Sequence, residues 1–187
     1  KEEKIRFQDP LTQKVGFFDA NGKVTIPAIY SDAHPFSNGF AKVLKDATKM
    51  CENGLPFSKD NLCEHPGWKG GETLIINSKN ETVFEKANQL DFQHINWYTL
   101  QINPKKVPVF YKTFKTITGD SYAFLDLEAE FKNWFFTKFI YLKTQTDFQK
   151  NSLSNIIIAK ESAFKIENIN DPEFEQWAWV KENTQTF

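Results

Sequence analysis

A chain of 187 residues with 23 basic against 24 acidic side chains is close to neutral, so it carries no electrostatic footprint for nucleic acid or an anionic membrane surface. No run of about 18 apolar residues occurs, which excludes a transmembrane helix. A composition of 19 Phe, 5 Trp and 5 Tyr against a single Met suits pleated sheets better than helical bundles. The expected class is all-β, an array of antiparallel β-hairpin repeats forming one domain over residues 1–187.

The chain begins Lys1-Glu2-Glu3-Lys4 without Met, as a mature exported protein would after removal of its signal peptide, and as a trimmed chain would also. The first organised stretch is residues 15–43. A short apolar run, Val15 to Phe18, leads through Asp19-Ala20-Asn21-Gly22 into the alternating Val24-Thr25-Ile26, which Pro27 stops. Asn-Gly tolerates the positive φ of a tight turn and β-formers flank it, so Asn21-Gly22 is read as a hairpin tip. Pro35-Phe36-Ser37-Asn38-Gly39 then predicts a bend before a last strand from Phe40 to Val43.

The order Gly16-Phe17-Phe18-Asp19, Asn21-Gly22-Lys23-Val24, Ile26-Pro27, Tyr30-Ser31-Asp32-Ala33 and Pro35-Phe36-Ser37-Asn38-Gly39-Phe40-Ala41 resembles the bacterial WG repeat. Val15-Gly16 stands at the pair that names it, so the Trp is missing here. The resemblance implies a β-rich repeat of bacterial envelope and secreted proteins, with no general catalytic residue and no agreed function.

A hairpin with a bend cannot bury its own apolar face, so further copies are expected. One constant offset lays Phe17 on Ile75, Asp19 on Asn77, Gly22 on Asn80, Ile26 on Phe84 and Phe40 on Tyr98, which gives a second unit over 73–102. A third is read over 122–160, opening at Tyr122-Ala123-Phe124-Leu125-Asp126, and a partial fourth over 177–187 from Trp177-Ala178. Hairpin tips are expected near Asn21-Gly22, Lys79-Asn80, Leu127-Glu128 and Asn183-Thr184, with Gly16, Ala123 and Ala178 at one small-residue position. The aromatic run Phe131 to Leu142 reads as a strand buried on two sides or as a helix, and its length and aromatic richness favour the strand. Asp171-Pro172-Glu173 offers a helix start, so a short helical segment near 171–176 competes with the fourth unit.

Between the first two units, residues 45–71 break the pattern as a Gly- and Pro-bearing insertion holding both cysteines. A connector of such length is by default functional or disordered. Cys51 and Cys63 have three readings: a disulfide, free thiols, or part of a metal site with His65 and Glu52 or Glu64. The spacing lacks the paired knuckle of a structural zinc site, so the disulfide is favoured, and closing so short a loop contributes about 2–3 kcal/mol on chain-entropy grounds. A disulfide suits an oxidising compartment. Leu55, Phe57, Leu62 and Trp68 in the same insertion form either a satellite core or a partner-binding surface, with Phe57 and Trp68 the candidate anchors.

No phosphate loop, nucleophile elbow or H-E-x-x-H motif occurs. His34 and His94 read as bend residues, and Asp19 and Asp126 as turn residues that bind backbone N–H groups. The expectation is a non-enzyme with no cofactor and no metal, periplasmic or extracellular: a binding or scaffolding module of the bacterial envelope whose partner is another protein or an envelope component. The alternative is an inhibitor or immunity protein that neutralises a toxin or enzyme, and a hydrolase with an unrecognised carboxylate pair is the third class.

Overall fold

The computed structural model describes residues 4–141, 146–147, 150, 155–160 and 163–168, mostly antiparallel β-sheet with one short α-helix. Contacts divide the chain into two units, Lys1–Leu127 and Glu128–Phe187. In the first, β1 (Ile5–Gln8), β2 (Val15–Phe18) and β3 (Val24–Tyr30) form one sheet in the order β1-β2-β3. The strands β4 (Asp32–Ala33), β5 (Phe40–Met50), β6 (Gly67–Asn77) and β7 (Thr82–Phe84) form a second, in chain order. A third sheet holds β8 (Ile95–Ile102), β9 (Tyr111–Lys115) and β10 (Ser121–Asp126) in the order β8-β10-β9.

The first two hairpins are the same object built twice. Asp19 Oδ1 accepts the N–H groups of Asn21 and Lys23 at 2.9 Å each, and Asn77 Oδ1 accepts those of Lys79 and Glu81 at 3.0 Å each. In both, the fourth residue of the turn has positive φ, Gly22 at 80° and Asn80 at 66°. The pairing is equivalent too: Phe17 faces Ile26 and Phe18 faces Val24, as Ile75 faces Phe84 and Ile76 faces Thr82, each with a register shift between. An Asx side chain that occupies the orphan turn donors pins the register, and register decides which face is buried.

In the first hairpin Val15 pairs with Tyr30 and Phe17 with Ile26, so Pro27, Ala28 and Ile29 bulge opposite Gly16. Pro27 is tolerated there because a bulge relieves it of a ladder donor. Gly16 is required there: a Cβ would lie 2.6 Å from Ile26 O and 2.8 Å from Ala28 N.

Strand β6 is the shared wall of two cores. Leu74 and Ile76 pack with Val15, Phe17, Ile26, Tyr30, Phe36 and Val43. Ile75, on the opposite face, packs with Val83, Phe84, Ile95, Phe114 and Phe124. Alternation along one strand thus feeds two apolar clusters, which explains why Leu74-Ile75-Ile76 is an unbroken apolar run. The Tyr30 hydroxyl donates to Asn80 Oδ1 at 2.6 Å, joining β3 to the second turn.

Four sequence expectations change. Leu127-Glu128 is not a hairpin tip but the start of helix α1 (Leu127–Thr137), and Phe131 to Leu142 is not a strand: its described part continues α1 and then a 3-10 turn at Phe139–Tyr141. Glu128 and Glu130 sit in the helix's first turn, where the macrodipole favours acids, and Glu128 pairs with Lys132 at 2.8 Å. Phe131 stacks on Phe135 at 5.8 Å, four residues on, so the aromatic run is satisfied at helical spacing. Tyr122 to Asp126 is the returning strand of its hairpin, not the opening one; the turn before it runs from Thr116 to Asp120, with the Thr116 N–H on Asp120 O at 2.9 Å and Gly119 at φ 90°. Much of 45–71 is ladder, not loop, because β5 and β6 pair as far as Met50 and Gly67. In the second unit β11 (Asn155–Lys160) pairs with β12 (Ala163–Asn168). The helical segment at 171–176, the partial unit 177–187, Ala178 and the tip at Asn183-Thr184 lie outside the described residues.

Candidate functional site

The long β5–β6 hairpin carries the insertion away from the repeat body. Its ladder is interrupted once, where Asp46 has φ 55° and Gly71 has φ 75°, and resumes at Ala47 with Gly70. A Cβ on Gly71 would lie 2.5 Å from Lys45 O, so the close approach admits only glycine. The freed groups of Ala47 are taken by a side chain. Buried Ser31 donates its hydroxyl to Ala47 O at 2.9 Å and accepts the Ala47 N–H at 3.0 Å, standing in for a missing strand.

Beyond this interruption the tip is folded on itself. Cys51 and Cys63 are joined by a disulfide with Cα atoms 5.8 Å apart, so neither sulfur is a thiolate available to a metal. The Cys51 N–H bonds Leu55 O at 2.9 Å, Asn61 Nδ2 bonds Pro56 O at 2.9 Å, and Asn53 Nδ2 bonds Asn61 Oδ1 at 2.8 Å. The Phe57 N–H returns to Lys49 O at 2.8 Å, and Lys49 pairs with Trp68 across the ladder. Lys49 is therefore flanked on both sides, and cross-strand neighbours share a face. Its ammonium lies 5.1 Å from the Phe57 ring and 5.7 Å from the Trp68 ring. Such a cation–π arrangement contributes about 0.5–1 kcal/mol at an exposed site.

The two rings named from the sequence are thus brought together, Phe57 37% and Trp68 41% exposed, while Leu55 and Leu62 stand further out at 57% and 72%. Beside Trp68 opens a cleft of about 810 Å³ lined by Arg6, Asp32, Lys49, Glu64 and His65. Arg6 is held there by donating Nη1 to Ala33 O. The lining holds both signs, Arg6 and Lys49 with Asp32 and Glu64. Sequence reasoning missed Lys49 and Arg6. Lys49 meets Trp68 because the β5–β6 register runs unshifted from Phe40 with Asn77 past the interruption at Asp46 and Gly71, and such long-range pairing has no local signature in composition.

The histidines are apart: His65 lines this cleft, the His34 N–H bonds Lys42 O at 2.8 Å, and the His94 carbonyl accepts Leu127 N–H at 2.9 Å. Asp19 holds its turn as the sequence suggests, and Asp126 pairs with Lys112 at 2.9 Å. Among the described residues no group of three or more His, Cys, Asp and Glu could hold a metal ion. No helix among them is long and apolar enough to cross a membrane.

A bulged antiparallel hairpin repeat with an Asx-pinned turn, continued by a bend and a pairing strand, defines a β-hairpin repeat chain. Residues 16–47 match the family model of the WG containing repeat, so the chain carries a WG repeat there. No curated protein and no solved structure matches it.

Proposed function

We propose that this chain is a non-catalytic binding or scaffolding module, exported to the bacterial periplasm or cell exterior, which recognises a protein or envelope component through its stapled tip. The observation that carries this reading is the Phe57–Lys49–Trp68 face at the end of a disulfide-closed hairpin. An aromatic anchor held in place before binding loses little entropy on association, and Trp is over-represented among residues that dominate interfaces. The disulfide supports export because such bonds persist in oxidising compartments. A tip rigid enough to bind has no need of a nucleophile or a general base.

The test is recovery on immobilised protein from bacterial envelope extract, comparing the wild type with Phe57→Ala and Trp68→Ala while following thermal midpoints. The reading expects recovery to fall at least about tenfold with little change in midpoint. Loss of stability in step with recovery would make the rings a satellite core instead. Stoichiometric capture of one soluble enzyme, with inhibition of its activity, would replace the envelope module by an inhibitor.

A further inference from the structure

A second concavity lies away from the tip, between the bend after β4 and the segment that joins β7 to β8. It encloses about 760 Å³. Its apolar side includes Trp97 and Phe92, whose ring centroids are 5.3 Å apart; Trp97 also packs on Phe40 at 5.7 Å and Phe124 at 5.1 Å, so the indole is fixed from three directions, partly buried, and still lines the cleft. Its polar side is unusually rich in carboxamides: Asn88 and Gln89 lie in a 3-10 turn at Ala87–Gln89, Gln93 follows it, and all three are exposed. The side chains of these three, and of His34 and Lys42 opposite, make no hydrogen bond to the described residues.

The charges of the cleft are balanced. Lys42 and Asp91 both line it, one of each sign, and Asp91 is engaged by Lys112 at 2.8 Å, which also holds Asp126 at 2.9 Å. One cation beside one carboxylate gives an anionic polymer little to hold. What such a lining matches is a molecule with an apolar face and a rim of groups that each donate and accept. A carboxamide presents both functions side by side, and an aromatic face packs against C–H bonds without asking for charge. A pyranose has that character, with axial C–H bonds on one face and hydroxyls round the edge.

We propose that the cleft lined by Trp97, Phe92, Asn88, Gln89 and Gln93 binds an uncharged oligosaccharide, with a sugar ring on the indole and its hydroxyls on the carboxamides. An extended polypeptide is the less suitable occupant, since its recognition rests on backbone pairing along a strand edge, whereas the polar groups here are side chains on a connecting segment. The site stands independently of the tip and does not require it.

The test is calorimetric titration of the full chain with cellopentaose, maltopentaose and chitopentaose. Oligogalacturonate serves as the anionic probe and reduced, carboxymethylated lactalbumin as the extended polypeptide. At least one neutral sugar should bind saturably with a Kd between about 10 μM and 1 mM. It should also quench tryptophan fluorescence, and Asn88→Ala combined with Gln93→Ala should weaken it about tenfold or more at unchanged thermal midpoint. Trp68→Ala should leave it intact, which separates this site from the tip. The inference is overturned by no neutral sugar binding up to about 10 mM, by undiminished binding in the double variant, or by preference for oligogalacturonate or the polypeptide.

Discussion

Two residues carry the local geometry on which the first repeat depends, and each gives a measurable consequence. Ser31 is buried at 3% exposure and completes both backbone groups of Ala47. Ser31→Ala leaves a buried N–H and a buried carbonyl without partners, so it should destabilise by about 1–3 kcal/mol in urea unfolding. A change below about 0.5 kcal/mol would mean that water replaces the hydroxyl there. Gly16 lies against the bulge on β3, and the atoms in the way are main chain, which cannot rotate aside. Gly16→Leu should therefore cost about 1–3 kcal/mol or more by overpacking, and a neutral result would contradict the bulge.

At the scale of the elements, the hairpin tip is where covalent and hydrogen-bonded structure coincide. Cys51 and Cys63 should resist alkylation unless a reductant is added, as read by mass spectrometry of the protein from its native compartment, and two labelled thiols would reject both the bridge and export. Replacing both by Ala should lower stability by about 2–3 kcal/mol, less whatever the tip's own hydrogen bonds retain. The first two hairpins were legible in the sequence because their signal is local: Asp19 with Gly22 and Asn77 with Asn80 specify a turn within four residues, and Phe17, Ile26, Ile75 and Phe84 follow from alternation. Helix α1 was not legible in Phe131 to Thr137, since an apolar run on both faces is compatible with either period, and the deciding residues are the helix-forming Leu127 to Glu130 before it. The third hairpin shows in the sequence only through its second strand, because Tyr122 to Asp126 mimics Val15 to Asp19 in pattern, while the turn at Thr116 to Asp120 lacks the Asn-Gly signature. As for the site, Phe57 and Trp68 were visible as aromatics in a polar stretch. Their common partner Lys49 was not, because the pairing that unites them is long-range.

For the whole molecule, the titrating groups set the pH window. The Leu11 N–H, and after it the Thr12 hydroxyl, hold Asp9 below the usual carboxylate range; the Lys112 ammonium does so for Asp91, and the Asn103 amide for Asp120. A carboxylate depressed in the folded state stabilises above its unfolded value of about 4, and that contribution is lost as pH falls through the folded value. Lys112 is shifted upward by its bonds to Asp91 and Asp126, so its contribution is present below about pH 10 and lost as the solution becomes more alkaline. The thermal midpoint should be nearly flat from about pH 5 to 9 and fall below about pH 4; a midpoint that rises on acidification would be inconsistent with these pairings.

The central proposal is that a chain with a WG repeat presents a stapled aromatic tip for recognition. It is tested most directly by Trp68→Ala, measured for thermal midpoint and for binding to envelope extract in parallel. The account predicts a midpoint within about 2 °C of the wild type, because Trp68 is a surface side chain outside both cores, together with recovery reduced at least about tenfold. Unchanged recovery, or a midpoint lowered by several degrees with recovery falling in proportion, would contradict it.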